Sequence, residues 1–211
     1  GVYRSTDDGN NWTRVSFDPT YTSVWSITSN EGGELFAGTD GGGVFYSNSN
    51  GSAWQQTNLK SRTISALITF GSNHVLAADG VVYHSADNFT NWTRIDTGLT
   101  DASYITSLVM NSGPTLFASK GSRVWRSSDQ GVHWAQSDSL GAFTTSLAVT
   151  SNGHMFAGTT TNGIYRSTDG GAEWNEFNNG FSADNIIRSL AVASNGSVIV
   201  GTDHGIYRGV K

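Results

Sequence analysis

"GVYRSTDDGNNW" at residues 1–12 and "GIYRSTDGGAEW" at residues 163–174 are almost the same phrase. Three further versions lie between them, "SNSNGSAW" (47–54), "SADNFTNW" (85–92) and "SSDQGVHW" (127–134), each again closed by Trp. The closing residues Trp12, Trp54, Trp92, Trp134 and Trp174 fall 42, 38, 42 and 40 residues apart. Self-similarity at a period near forty marks a repeat architecture, so the unit of folding is one period.

Each period holds four short apolar or alternating runs, named here a to d. Run a appears as "VWSIT" (24–28), "ISALI" (64–68), "ITSLV" (105–109), "TTSLA" (144–148) and "IRSLA" (187–191). Runs b, c and d are typified by "MFAGT" (155–159), "GIYRS" (163–167) and "WNEF" (174–177). Runs of this length, punctuated by Gly, Asn and Asp, read as strands joined by hairpin turns. The Ser-Asn-Gly stretches at 151–153 and 194–196 place Gly where an a–b hairpin needs a positive φ. One four-stranded sheet has two half-apolar faces that it cannot bury alone, so the copies must pack on one another. The expected fold is all-β: a β-propeller of four-stranded antiparallel blades in a single domain, 1–211, with turns at 5–12, 47–54, 85–92, 127–134 and 167–174.

The repeat also accounts for a start in mid-phrase. Residues 1–18 supply a c and a d strand, whereas 187–208 supply a, b and c. Pairing the N-terminal d strand with the C-terminal sheet closes five blades. Two segments then claim one c slot, "GVYRS" (1–5) and "GIYRG" (205–209). Either one of them is displaced or pairs with another molecule, or the chain is a piece of a larger six- or seven-bladed ring. Gly1 reads as a processed or trimmed end.

Composition excludes several functions. A formal charge of −5, with three Lys and nine Arg scattered along 211 residues, offers no basic stripe to a phosphate backbone, so no nucleic-acid partner is expected. No apolar run is long enough to insert in a membrane. The absence of Cys removes disulfides, thiol nucleophiles and thiolate metal sites. His74, His84, His133, His154 and His204 never fall at metal-ligand spacing, and no Gly-rich loop leads into a helix, so no metal or cofactor is expected. Sequons begin at Asn11, Asn50, Asn88, Asn91 and Asn195, and those inside the repeated turn are explained by the repeat.

The phrase Ser-x-Asp-x-Gly-x-x-Trp is complete at Ser5/Asp7/Gly9/Trp12, Ser127/Asp129/Gly131/Trp134 and Ser167/Asp169/Gly171/Trp174. Ser49 replaces Asp in the second copy, before Trp54. Phe89 replaces Gly in the third, between Asp87 and Trp92. This phrase resembles the Asp-box (BNR) repeat of sialidase-type propellers, a likeness covering the whole chain. The same repeat is familiar from xyloglucan-cleaving glycosidases, sortilin-type receptors and photosystem II assembly factors. Function varies freely over the fold. The resemblance implies a structural role for the box: Asp accepts bonds from nearby backbone N–H groups, and Trp covers the turn. It also implies that the active or binding face lies opposite the boxes, on the b–c and d–a loops.

Those loops carry Asp40, Asp79, Asp101, Asp184 and Asp203 beside Tyr21, Trp25, Tyr104, Phe143 and Phe181, a mixture suited to stacking and bonding a sugar. Asp before Gly is equally ordinary turn chemistry. The candidate ligand-binding set is Trp25, Asp40, Asp101, Tyr104, Asp184, Arg188 and Asp203; no catalytic residue is assigned. A sialidase is expected to show an Arg-Ile-Pro stretch and three converging Arg, whereas only Arg188 and Arg62 are suitably placed. Arg4, Arg126, Arg166 and Arg208 recur in strand c beside Tyr or Trp, and their stems are expected to lie over those rings. The leading expectation is a non-catalytic binding or scaffold propeller, exported and bacterial in style, that recognises a protein or glycan. Self-association through the duplicated c strand is a further expectation. The alternative is a glycoside hydrolase-like propeller, or a fragment of one, acting on polysaccharide.

Overall fold

Alternating apolar residues bounded by Gly, Asn and Asp give short strands throughout the computed structural model, which describes residues 1–15, 23–60, 62–71, 73–87, 89–113, 115–178, 185–193 and 195–209. The fold is the all-β, five-bladed propeller type with four-stranded antiparallel blades, and no helix occurs among the described residues. The first complete blade runs β3 (Val24–Ser29), β4 (Leu35–Thr39), β5 (Val44–Ser47) and β6 (Gln55–Gln56). The second is β7 (Ile64–Phe70), β8 (Asn73–Ala78), β9 (Val81–Ser85) and β10 (Thr93–Arg94). The third is β11 (Ile105–Met110), β12 (Leu116–Lys120), β13 (Arg123–Ser127) and β14 (Ala135–Gln136). The fourth is β15 (Thr144–Val149), β16 (Met155–Thr159), β17 (Ile164–Ser167) and β18 (Asn175–Glu176). The fifth has three strands, β19 (Ile187–Val192), β20 (Val198–Thr202) and β21 (Gly205–Arg208). Ahead of them all, β1 (Tyr3–Arg4) and β2 (Thr13–Arg14) form a separate two-stranded sheet.

The chain divides into two compact units, residues 1–94 and 95–211, with the boundary falling between the second and third blades. Within each unit, blades pack through a repeated device. Gly38 in β4 faces Ile64 of the next blade, where a Cβ would lie 2.6 Å from Ile64 Cγ2; Gly158 in β16 faces Ile187 in the same way. Glycine at this place lets the next inner strand approach closely, and both isoleucines are fully buried. In the second unit, Ile187 packs with Phe156, Ile164, Val198 and Val200. In the first, Ile64 packs with Phe36, Val44 and Leu67.

The pairing of termini expected from the sequence is not made. Thr13 and Arg14 of β2 pair with Arg4 and Tyr3 of β1, whereas Arg208 pairs with Ile199 of β20. The reason is local: the short Ser5–Trp12 turn folds β1 directly onto β2 at little loop cost, so the edge that β21 needs is already taken. Both claimants of the c position are therefore ordered strands, one at each end.

Candidate functional site

At the start of every inner strand the ladder skips one residue. The register shifts lie between Val24 and Ser26, Ile64 and Ala66, Ile105 and Ser107, Thr144 and Ser146, and Ile187 and Ser189. The bulged residues are Trp25, Ser65, Thr106, Thr145 and Arg188. A bulge frees one side chain from the ladder and re-aims it. Three of the five carry a hydroxyl that turns back to the backbone: Ser65 donates to the Ala77 carbonyl at 3.4 Å, Thr106 to that of Thr144 at 2.7 Å and Thr145 to that of Gly158 at 3.1 Å. Trp25 and Arg188 instead extend into solvent, Trp25 with 64% of its surface exposed.

In the first unit the b–c and d–a loops bring Asp40 and Asp79 together through Thr63. Asp40 accepts from the Thr63 hydroxyl at 2.9 Å, and the same hydroxyl accepts from the Gly41 N–H. Asp79 accepts from Arg62 Nη1 at 3.1 Å and from the Thr63 N–H at 3.4 Å. Arg62 also lies 5.7 Å from the Tyr83 ring centre. Asp79 and Gly80 take φ values of 51° and 78°, the left-handed pair of a two-residue hairpin turn, so Asp79 is turn-forming as well as charge-bearing.

In the second unit Asp101 accepts from the Ser103 N–H at 2.7 Å. Hydrogen bonds from Ser103 hold its carboxyl below the usual range, helped by the positive charges of Lys120 and Arg123. Beside it Tyr104 has 70% of its surface exposed, and Phe143 is partly exposed. Asp203 bonds His204 at 3.0 Å. Arg188 stands at the same end of the β19–β20 ladder, next to the Ile187–Thr202 pair. Of the remaining candidates, Asp184, Tyr21 and Phe181 lie outside the described residues. Sequence reading did not single out Thr63 or Ser103, the residues that orient the acids; nothing in a lone Thr or Ser flags such a role.

The repeated turns form one hydrogen-bonded unit. In the first, Asp7 accepts from the Ser5 hydroxyl at 2.7 Å and the Asn11 N–H at 2.9 Å, while Trp12 Nε1 donates to the Gly9 carbonyl. In the fourth, Asp129 accepts from the Ser127 hydroxyl at 2.8 Å and the His133 N–H at 2.9 Å. These bonds lower both carboxyls to about 2, the Asn11 side chain contributing most at Asp7 and the His133 N–H at Asp129. Asp87 and Asp169 are lowered in the same manner by the backbone of Asn91 and Glu173. The Phe89 ring stacks on Phe36 at 4.4 Å and meets Trp92 at 5.4 Å, so apolar contact takes the place of the missing Gly.

The strand-c arginines depart from expectation. Arg166 lies over Phe177, at 5.5 Å, rather than over its neighbour Tyr165, and Arg4 donates to the Asn50 carbonyl and the Ser52 hydroxyl of the following turn. Their reach is across to the next strand or turn because side chains adjacent in a strand point to opposite faces.

The sequence profile described as the DUF6242 beta propeller domain matches residues 1–104 and again residues 79–201. The chain belongs to the DUF6242 β-propeller family. No curated protein matches this family member's sequence. Among solved structures, an ancestral GH74 enzyme superposes with a TM-score of 0.83 at 16% identity, over 99% of this chain and 33% of its own. YCF48 bound to D1 peptide superposes with a TM-score of 0.77 at 16% identity, over 99% and 71%. The extracellular domain of a putative one-component system from B. thetaiotaomicron gives 0.66 at 15%, over 94% and 33%. The DUF6242 chain thus spans about a third of the GH74 enzyme's length. At these identities the likenesses speak for the fold.

Proposed function

We propose that this DUF6242 chain is a non-catalytic binding propeller whose loop face takes a protein segment, one rich in basic and apolar side chains. The observation that carries this reading is the occurrence, within each unit, of solvent-facing aromatics together with hydrogen-bonded carboxylates. Trp25 stands near the start of β3 and Tyr104 next to β11, both more than 60% exposed. Asp40, Asp79 and Asp101 each accept hydrogen bonds that fix their orientation, and those from Ser103 favour the charged form of Asp101. A glycosidase of the two-carboxylate kind needs one acid whose pKa is raised so that it can protonate the leaving oxygen. Hydrogen bonding pushes Asp101 the other way. Acidic loops flanking exposed aromatic rings suit a peptide bearing Lys or Arg, through charge attraction and cation–π contact.

The fold relative YCF48 is a peptide-bound propeller, and the one-component-system relative is an extracellular domain. These favour a protein partner and an extracytoplasmic setting for this chain as well. The Ser–Asp–Trp hydrogen bonds of the repeated turns support reading them as Asp-boxes, which assigns them to structure and leaves recognition to the opposite loops.

The test is a peptide array varied in charge and aromatic content, followed by titration calorimetry. Binding of basic, aromatic-containing peptides that weakens about tenfold or more in Trp25→Ala or Tyr104→Ala, as expected for loss of an aromatic anchor, supports the reading. Reducing-sugar release from xyloglucan that survives repurification and disappears in Asp40→Asn or Asp101→Asn overturns it.

A further inference from the structure

We propose that the cavity between the first complete blade and the repeated turn of the second is a binding site for a guanidinium cation, borne by an arginine side chain of a partner or by a small arginine-like molecule. The repeat supplies the template. "GVYRS" (1–5) and "GVFYS" (43–47) are two copies of strand c, so Tyr46 stands where Arg4 stands. The registers agree: Arg4 faces Thr13 and Tyr46 faces Gln55, each the first residue of a d strand. Arg4 shows what a guanidinium does from that place. Its Nη1 donates to the Asn50 carbonyl at 3.0 Å and to the Ser52 hydroxyl at 2.6 Å, both in the following turn. Its stem lies beside Gly51 of the same turn.

Tyr46 does not repeat this clamp. Its hydroxyl donates to Gln55 Oε1 at 3.1 Å, within its own blade. The next turn, 85–92, carries Thr90 at the place of Ser52. Tyr46 and Thr90 both line an open cavity of about 420 Å³. Phe36 and Phe89, stacked on each other, give it an apolar wall, and Asn58 adds an amide. Glu34 is the one charged residue of the lining. Its Oε2 accepts from Asn30 Nδ2 at 2.7 Å, which orients the carboxylate and leaves Oε1 for another donor. No ion pair joins Glu34 to a cation among the described residues.

The cavity therefore keeps the turn hydroxyl that a guanidinium bonds in the preceding repeat, lacks an arginine of its own, and holds a carboxylate with a free oxygen. A guanidinium matches all three. Its planar fork serves a hydroxyl and a carboxylate at once, and its stem packs on an aromatic wall. An anion is repelled by Glu34, and a neutral sugar leaves that charge uncompensated. Every residue of the site belongs to one compact unit, 1–94. Trp25, Asp40 and Asp79 do not line it, so the site is separate from the loop face.

The test is calorimetric titration of the full chain with N-acetyl-arginine amide, and with N-acetyl-citrulline amide as its neutral isostere. The arginine compound should bind saturably, with a dissociation constant on the order of a millimolar for so small a ligand, and the citrulline compound at least about tenfold more weakly. Glu34→Gln should weaken arginine binding about tenfold, the loss of a charge-assisted bond, with an unchanged melting temperature. Tyr46→Arg places a guanidinium of the chain itself in the cavity, so it should abolish binding without lowering the melting temperature. Trp25→Ala should leave binding as it was. Absence of arginine binding, equal binding of the citrulline compound, or full binding in Tyr46→Arg overturns the proposal. Loss of binding in Trp25→Ala does so too, because it moves the cation to the loop face. Free L-arginine and a capped Gly-Gly-Arg-Gly-Gly peptide separate the two sources. A peptide that binds at least about tenfold tighter than the free amino acid, with the same dependence on Glu34, marks a protein segment as the occupant; a smaller difference marks the small cation.

Discussion

Replacing Gly158 by Ala tests how the blades are joined. The added Cβ would lie 2.8 Å from Ile187 Cβ and 2.8 Å from Ser146 Oγ, and closer still to Ile187 Cγ2, whereas ordinary contact begins near 3.4 Å. Ile187 is fully buried between two blades, so it cannot withdraw without opening the junction. Overpacking of this kind costs about 1–3 kcal/mol. At this chain length each kcal/mol lowers the melting temperature by about 2–4 °C. Gly201 is the internal control: it holds the same repeat position, but the atoms nearest a Cβ there all belong to Ser189 of its own blade, and the closest, the Ser189 hydroxyl at 2.5 Å, can rotate away. Gly201→Ala should therefore fall within about 0.5 kcal/mol of the parent, since the reduced freedom of the unfolded chain offsets a small clash. Urea unfolding of the two variants side by side decides the matter. Equal losses, or a neutral Gly158→Ala, refute the claim that glycine is required by the neighbouring inner strand.

Three further outcomes are expected. Asp7 and Asp129 titrate at about 2 in the folded chain against 3.8 for the free side chain, so their stabilising contribution is complete above pH 3.8 and is lost as the pH falls through about 2. Thermal melts taken from pH 7 to pH 2 should show that decline, and Asp129→Asn should make it shallower. Phe89→Gly relieves a φ of 68° but removes two ring contacts; the buried ring outweighs roughly 1 kcal/mol of backbone relief, leaving a net loss of about 2–4 kcal/mol in chemical denaturation. Arg62→Ala breaks an ion pair that is 43% exposed on both sides, so stability should drop by less than about 1 kcal/mol in the same assay, while peptide binding changes with salt.

The blades were legible because the period-two pattern and the Gly/Asn turns act locally, and five aligned copies reinforce one another. The turn chemistry was legible for the same reason: Ser, Asp and Trp at fixed spacing close their own hydrogen bonds. The joining of the ends was not, since it depends on which of two near-identical strands reaches β2 first, and the short Ser5–Trp12 turn decides that in favour of β1. The partners of Arg166 were likewise hidden, because His154 and Phe177 are brought to it by strand pairing and not by nearness in sequence. On the loop face, acids and aromatics could be named from composition and position, but the links through Thr63 and Ser103 are properties of loop geometry.

The register slips at Trp25, Ser65, Thr106, Thr145 and Arg188 carry one more implication. Their neighbours are confined to small or aliphatic types, yet these five places hold an indole, three hydroxyls and a guanidinium. Trp25 and Arg188, which extend into solvent, are therefore slots whose occupant can be exchanged while the framework keeps its bonds, whereas Ser65, Thr106 and Thr145 each hold a backbone carbonyl in place. A library randomised at the Trp25 and Arg188 codons would sample new ligands at little risk to folding.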